Sequence, residues 1–331
     1  MSAILVLGGT RFIGKALVRR LAAEGHEVHV LTRPAHAGIA RACGATTVHA
    51  GDRRDAAMLK VIAARRFDAV FDFLGMDGED ARLAVEAFAG NCERFVHLST
   101  GAIYWVQDAT RCPWIESDDG IRLRDRAHCD ADEFDYGVAK RDAEAVYRAA
   151  ARDGFPAAIV RSPVVSGPGD IRQRDLYWVR RLLSKRPCVL PDGGRNVFNH
   201  VYVDDLVELL ARVGLDRTLE PGAALNACDR VFTTLRDYVS WFADVLDVRP
   251  EFADVPRAAI ANAGLHDRSF FFADTKSHVL DNRAAETRYG RIFRTPDAWI
   301  PPTAAWCRSQ PEDPTEADRF ARELRLAGGA S

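Results

Sequence analysis

Four aliphatic residues at 4–7 run directly into Gly8-Gly9-Thr10-Arg11-Phe12-Ile13-Gly14, and apolar side chains then recur at Ile13, Leu17 and Leu21. An aliphatic run followed by an i, i+4, i+8 stripe predicts a strand, a glycine turn and an amphipathic helix. Small residues at such a turn let the backbone approach a pyrophosphate, whose charge meets the free N–H groups at the positive end of the helix. The expected nucleotide contacts are therefore Gly8, Gly9, Thr10, Arg11, Phe12, Ile13 and Gly14, with Gly14 also letting the helix pack on its strand. The alternative is a turn that only joins strand to helix.

The same alternation continues. Aliphatic or β-branched runs at 27–31, 46–49, 69–73, 94–98 and 157–160 are each preceded by a helix-compatible segment. Repeated βα units predict an α/β fold, a doubly wound parallel Rossmann sheet. The second half loses this regularity at Pro163, Pro168, Pro187, Pro191, Pro221, Pro250 and Pro256, with helical patterns at 206–213 and 235–246 between them. It reads as a smaller C-terminal substrate-binding domain. The expected division is 1–165 with 199–228 for the dinucleotide, and 166–198 with 229–331 for the substrate.

A chain of 331 residues, 47% hydrophobic and 28% charged, is the size and composition of a soluble globular enzyme with one large domain and an annex. The net charge of -2, with positive charges scattered, provides no footprint for nucleic acid or an anionic membrane. The cysteines at 43, 92, 112, 129, 188, 228 and 307 form no C-x-x-C pair and no zinc spacing, which predicts reduced thiols and no metal. No apolar stretch approaches the length of a membrane span, and the start lacks a basic leader region. The expectation is a cytoplasmic protein acting on a small molecule.

The identity of the nucleotide turns on the end of the second strand, where a carboxylate would hold the ribose of NAD and this chain has Thr32-Arg33. Arg11 and Arg33 together can clamp a 2'-phosphate through forked, charge-assisted bonds, so NADP(H) is expected over NAD(H). Asp52, beside Arg53, is placed to accept from an adenine amine or to cap the next helix. Leu74 with Gly75, and Pro163 with Val165, at the ends of later strands, complete the expected cofactor contacts.

Tyr136 and Lys140 stand four residues apart, hence about one turn apart on one helix face. A phenol titrates near 10 in water, and an adjacent ammonium stabilises its phenolate enough for acid-base work near neutrality. Lys140 would also hold the nicotinamide ribose. The strand end Ser99-Thr100-Gly101-Ala102-Ile103-Tyr104 supplies hydroxyls at the carboxyl edge of the sheet, where ligands of such sheets bind. A Tyr-x-x-x-Lys spacing arises often by chance; its order after the glycine loop and this strand end gives it weight.

With these landmarks and the later segment Asn199-His200-Val201-Tyr202-Val203-Asp204-Asp205-Leu206, the chain resembles the extended short-chain dehydrogenase/reductase family over nearly its full length. That family is also called NAD-dependent epimerase/dehydratase, and the likeness is to a branch with a Gly-Gly-Thr-Arg-Phe-Ile-Gly loop. The resemblance implies Thr100 as the active-site hydroxyl, Tyr136 as general acid/base and Lys140 as the ribose-binding lysine. It also implies hydride transfer at a carbinol or ketone carbon, and a homodimer formed through two helices. Gly101-Ala102 after Thr100 argue against dehydration, and Phe198 stands where sugar-nucleotide enzymes carry an arginine, three residues beyond Arg195. Tyr104, Arg172, Tyr177, Arg195 and Asn199 are the candidate substrate contacts, and His128 with Cys112 or Cys129 forms a candidate acid-base pair against the plainer reading of loop residues. The expected activity is an NADP(H)-dependent oxidoreductase acting on a small polar metabolite. The alternatives are a nucleotide-sugar epimerase and a non-catalytic nucleotide sensor.

Overall fold

The computed structural model describes residues 1–109, 111–265, 270–273, 276–311, 313 and 316–328. The chain divides into two compact units, the first comprising 1–163, 203–228 and 280–293, the second 164–202, 229–279 and 294–331.

In the first unit β1 (Ala3–Leu7), β2 (Glu27–Thr32), β3 (Thr47–Ala50), β4 (Ala69–Asp72), β5 (Phe95–Thr100) and β6 (Ala157–Ser162) form a parallel sheet with the strand Ala223–Asn226. The order across the sheet is Ala223–Asn226, β6, β5, β4, β1, β2, β3. The chain thus runs outward from β1 to β3 and restarts beside β1 at β4. That reversal opens the crevice in which doubly wound sheets bind ligands. β1 is apolar throughout because both of its faces are covered.

The covering helices are α1 (Phe12–Ala23), α2 (Ala37–Ala42), α3 (Ala56–Ala63), α4 (Gly78–Phe88), a short α5 (Ala102–Trp105) and α6 (Ala131–Arg152). α1 buries Gly14, Leu17, Val18 and Leu21, one helical stripe, and packs against the helix Val203–Leu215. Asp204 and Asp205 lie in the first turn of that latter helix, where carboxylates suit the dipole. On the other face Ala81, Ala84 and Phe88 of α4 and Ala143 and Tyr147 of α6 close over Leu5, Leu7, Val70 and Phe95. Asp130 caps α6 by accepting from the amides of Asp132 and Glu133. A Cβ at Gly137 of α6 would lie 2.5 Å from Val106 and 2.7 Å from the carbonyl oxygen of Ala102, so glycine permits α5 to press against α6.

The return of 280–293 to this unit departs from the expected division. Leu280 bridges Trp114, the Asn226 side chain donates to the Asp281 carbonyl, and Asn282 donates to that of Cys228. These are contacts between segments far apart in sequence, with no periodic pattern to announce them.

Among its described residues the second unit contains three two-stranded pairs: His200–Tyr202 with Val164–Ser166, Thr233–Thr234 with Val197–Phe198, and Phe252–Val255 with Cys188–Pro191. Helices Arg174–Leu183, Leu235–Leu246, Pro296–Arg308 and Glu316–Gly328 surround them. Its core gathers Tyr238, Phe198, Phe272 and Trp299 around His200, with ring centroids 4.8, 4.9, 5.2 and 5.6 Å away. Among the described residues no helix is long and apolar enough to cross a membrane.

Candidate active site

Gly8 carries a φ of +96° and sends its amide to the carbonyl of Leu31 at 3.0 Å, turning the chain at the end of β1. A Cβ at Gly14 would stand 2.5 Å from the Gly8 carbonyl oxygen, so only glycine lets α1 begin this close to the strand. Phe12, between them, holds a φ of +34°, a strained conformation for an aromatic residue and one that clusters at ligand-binding loops. Arg11 at the N-cap of α1 is extended and its side chain makes no capping bond. A guanidinium only donates, so the first-turn amides have no side-chain cap from this position, as an anion site at a helix start requires.

The Thr10 and Thr32 hydroxyls lie 3.3 Å apart, joining the glycine loop to the end of β2. Arg11 and Arg33, each the next residue along, are exposed, and neither guanidinium has a hydrogen bond or ion pair among the described residues.

Lys140, on α6, is 4% exposed, and its Nζ donates to the carbonyl of Gly75 at 2.7 Å and to that of Leu98 at 2.8 Å. It therefore reaches across the carboxyl ends of β4 and β5. Burial pulls its ammonium from 10.5 down to about 8, against the opposing pull of Asp72, Glu144 and Asp80. Tyr136, one turn earlier, is 39% exposed. Thr100 is half-buried at the tip of β5, its Oγ1 accepting from the amide of Ala102 at 3.2 Å. Thr100 pairs in register with Ser162 of β6, so it stands at the same edge of the sheet as the glycine loop.

The sequence model of the NAD dependent epimerase/dehydratase family matches residues 4–228. The chain belongs to that family. Its members and structural neighbours are extended short-chain dehydrogenase/reductase enzymes. The chain is 26% identical over 226 residues to the chloroplast stem-loop binding protein of 41 kDa b of Arabidopsis thaliana, with 63% of this chain and 54% of that protein covered. It is 30% identical over 217 residues to 2'-dehydrokanamycin reductase of Streptomyces kanamyceticus, covering 63% and 58%. The chain thus matches little more than half the length of these curated relatives. The solved dTDP-glucose 4,6-dehydratase of Bacillus anthracis, in complex with NAD, superposes with a TM-score of 0.73 at 16% identity, over 93% of this chain and 96% of that one.

Within this family frame several expected contacts move. Arg53 is 4% exposed, and its Nη2 donates to Asp72 at 2.6 Å, so its guanidinium serves a buried carboxylate rather than a cofactor. Asp52 is exposed and accepts from the Arg54 amide; the cap of α3 is Asp55, accepting from Ala57 and Met58. Tyr104 is fully buried: it stacks on Trp114, donates to Asn226 at 2.9 Å and accepts from Arg161 at 2.6 Å. The short helix after Thr100 carries it away from the sheet edge, so it is no substrate contact. Leu74 is 39% exposed, while Gly75 contributes its carbonyl to Lys140. Pro163 is buried after β6.

In the second unit Val165 is buried, its carbonyl accepting from Arg174 at 3.0 Å. Arg172 and Arg195 are exposed. Tyr177 is 1% exposed beneath Arg181, whose guanidinium carbon sits 3.7 Å from its ring centre, and Asn199 is fully buried, donating to the Asp229 carbonyl at 3.0 Å. Both belong to the core of that unit and neither offers a substrate contact. His128 faces Asp125, and Cys129 donates to the Asp125 carbonyl, so the loop supplies local bonds for both.

The sequence reading missed Asp72, His97 and Glu144. Asp72 was detectable as a charge closing an otherwise apolar strand, and His97 as a polar residue inside another. Buried polar groups inside a strand require partners, and that requirement is the signal.

Proposed function

We propose that this chain is an NADP(H)-dependent oxidoreductase that interconverts a hydroxyl and a ketone on a small polar metabolite. The observation that carries the reading is Lys140, buried between the ends of β4 and β5 one turn from an exposed Tyr136. The glycine cradle, filled by any Cβ at Gly14, and the N-terminus of α1 suit a dinucleotide pyrophosphate. When bound, the nicotinamide supplies or accepts the hydride. In the reducing direction Tyr136 gives its phenolic proton to the substrate oxygen, and in the oxidising direction its phenolate takes that proton back. Lys140 stabilises the phenolate by its charge, and Thr100 orients the substrate oxygen with its hydroxyl. The test is transfer of deuterium from C4-labelled NADPH to a panel of ketones and nucleotide sugars. Stoichiometric NADPH consumption supports the reading; label exchange with no net consumption identifies an epimerase, and no transfer at all overturns hydride chemistry.

The reading of NADP(H) is supported by the Thr10–Thr32 contact, which joins the two backbone segments that carry the exposed Arg11 and Arg33. A charge-assisted bond contributes roughly 1.5–3 kcal/mol. Arg33→Ala is therefore expected to weaken NADP(H) binding roughly 10- to 100-fold by calorimetry while leaving NAD(H) binding unchanged. Equal loss for both cofactors, or tighter binding of NAD(H) by the unaltered chain, removes the preference. The expected dimer is a proposal of the same kind: α4 and α6 would form its interface, and sedimentation tests it.

A further inference from the structure

Beneath the sheet edge lies a buried polar cluster that the proton transfer from Tyr136 does not itself use. Asp72 is 1% exposed at the end of β4; one carboxylate oxygen accepts from the amides of Leu74 and Gly75, both at 2.9 Å, and the other from Arg53 at 2.6 Å and Tyr147 at 3.4 Å. His97, beside it in register on β5, is fully buried with no hydrogen-bond partner for either ring nitrogen among the described residues. Burial and the charge of Lys140 hold that imidazole well below its ordinary value, hence neutral. The charged groups acting on Lys140 are Asp72 from β4, Asp80 from α4, Glu144 from its own helix and Arg53 from the loop after β3. Asp72 is the strongest of these, and Arg53 is the one that opposes.

We propose that Asp72, clamped by Arg53, is a positioning residue for Lys140: it fixes the Leu74–Gly75 backbone so that the Gly75 carbonyl meets Nζ, and it supplies the anion that keeps this buried lysine charged. The cluster rests on the reading above for what Lys140 does. Its division of labour is direct. Arg53 makes the buried carboxylate tolerable, holding it ionised against burial, and the ionised carboxylate then serves two ends, one geometric and one electrostatic. An asparagine at 72 keeps an oxygen for the two amides and removes the charge.

The full chain has five lysines, Lys15, Lys60, Lys140, Lys185 and Lys276, so lysine labelled with carbon-13 at Cε gives few enough signals to assign Lys140 by its loss in Lys140→Arg. The Lys140 signal is expected to titrate at about 8 in the unaltered protein and at roughly 7 or below in Asp72→Asn. A change that merely loosened the fold would admit water and move the midpoint the other way, toward 10.5. An unmoved or raised midpoint overturns the proposal. Should Asp72→Asn fail to fold, Arg53→Met with Asp72→Ser removes the ion pair and leaves a hydroxyl to cap the turn. The midpoint still falls there, because Asp72 acts on Lys140 more strongly than Arg53 does. Turnover of Tyr136→Phe judges the catalytic reading separately. If that variant is inactive and the Lys140 midpoint fails to fall, the Asp72 link alone is lost; if it stays active, the catalytic reading falls whatever the midpoint does.

Discussion

Tyr136→Phe is expected to lower turnover roughly a thousandfold, the scale on which a positioned general acid acts. The side chain is 39% exposed, so loss of its hydroxyl leaves core packing untouched and stability within about 0.5 kcal/mol of the parent. Dinucleotide affinity also stays, since the glycine loop and Lys140 are intact. Lys140→Met behaves differently. It removes the charge that supports the phenolate and leaves the Gly75 and Leu98 carbonyls without their donor, so cofactor binding weakens along with turnover. Steady-state kinetics with calorimetric cofactor binding separates the two: turnover alone falls in the first, turnover and affinity in the second. A Tyr136→Phe enzyme with more than about a tenth of parental turnover would falsify the assignment of Tyr136 as acid/base.

The lysine also gives the pH profile a sign. Its free-enzyme value of about 8 means that the ammonium is lost as pH rises through 8, so activity that needs the charge declines on the alkaline side there rather than near 10. With respect to folding the same group works in the opposite direction. An unfolded lysine binds its proton more tightly, so this group destabilises the fold at neutral pH, and that cost disappears as pH rises from 8 toward 10.5.

What was legible in the sequence was local or periodic. The glycine turn, the strand-helix alternation and the helical spacing of Tyr136 and Lys140 are set by neighbours within a few residues, and repeated βα units make the sheet parallel. The side chains that went astray depend on which way one residue turns. In the stretch Asp52-Arg53-Arg54 the two arginines differ by one position; Arg53 is buried against Asp72, while the exposed Arg54 reaches Asp77 and the carboxylate of Asp80 from outside, a choice fixed by a strand some twenty residues on. Tyr104 sits only four residues beyond Thr100, yet that is one turn of α5, enough to put it in the core. Tyr177 read as a candidate substrate contact, whereas it is covered by Arg181 of its own helix and by Arg319 from far along the chain.

The buried charge network at β6 should dominate the stability of the first unit. Arg161 is fully buried and donates to Glu144 through Nε at 3.1 Å and Nη2 at 2.6 Å, to Asp119 at 2.6 Å, to Tyr104 at 2.6 Å and to the Glu116 carbonyl at 3.0 Å. Arg161→Met keeps the volume and takes the buried cation from Glu144 and Asp119, leaving them Arg148 at the rim, which costs about 3–5 kcal/mol for a broken buried pair. The loss should shrink in acid. In the parent, burial opposes the Asp119 charge but Arg161 and Arg148 hold it below 3.8, so its contribution is present above 3.8 and fades only as pH falls below that. Without Arg161 burial is opposed at Asp119 by Arg148 alone, its carboxyl titrates higher than in the parent, and the folded variant's deficit therefore shrinks as pH drops from 7 toward 5. Urea unfolding at those two pH values should therefore show the variant's deficit narrowing, and Arg161→Met with Glu144→Leu, which removes a stranded charge, should recover part of it at pH 7. A deficit under about 1 kcal/mol, or one that widens in acid, would mean that the network is tolerated rather than stabilising, and that strand β6 is held by its apolar neighbours alone.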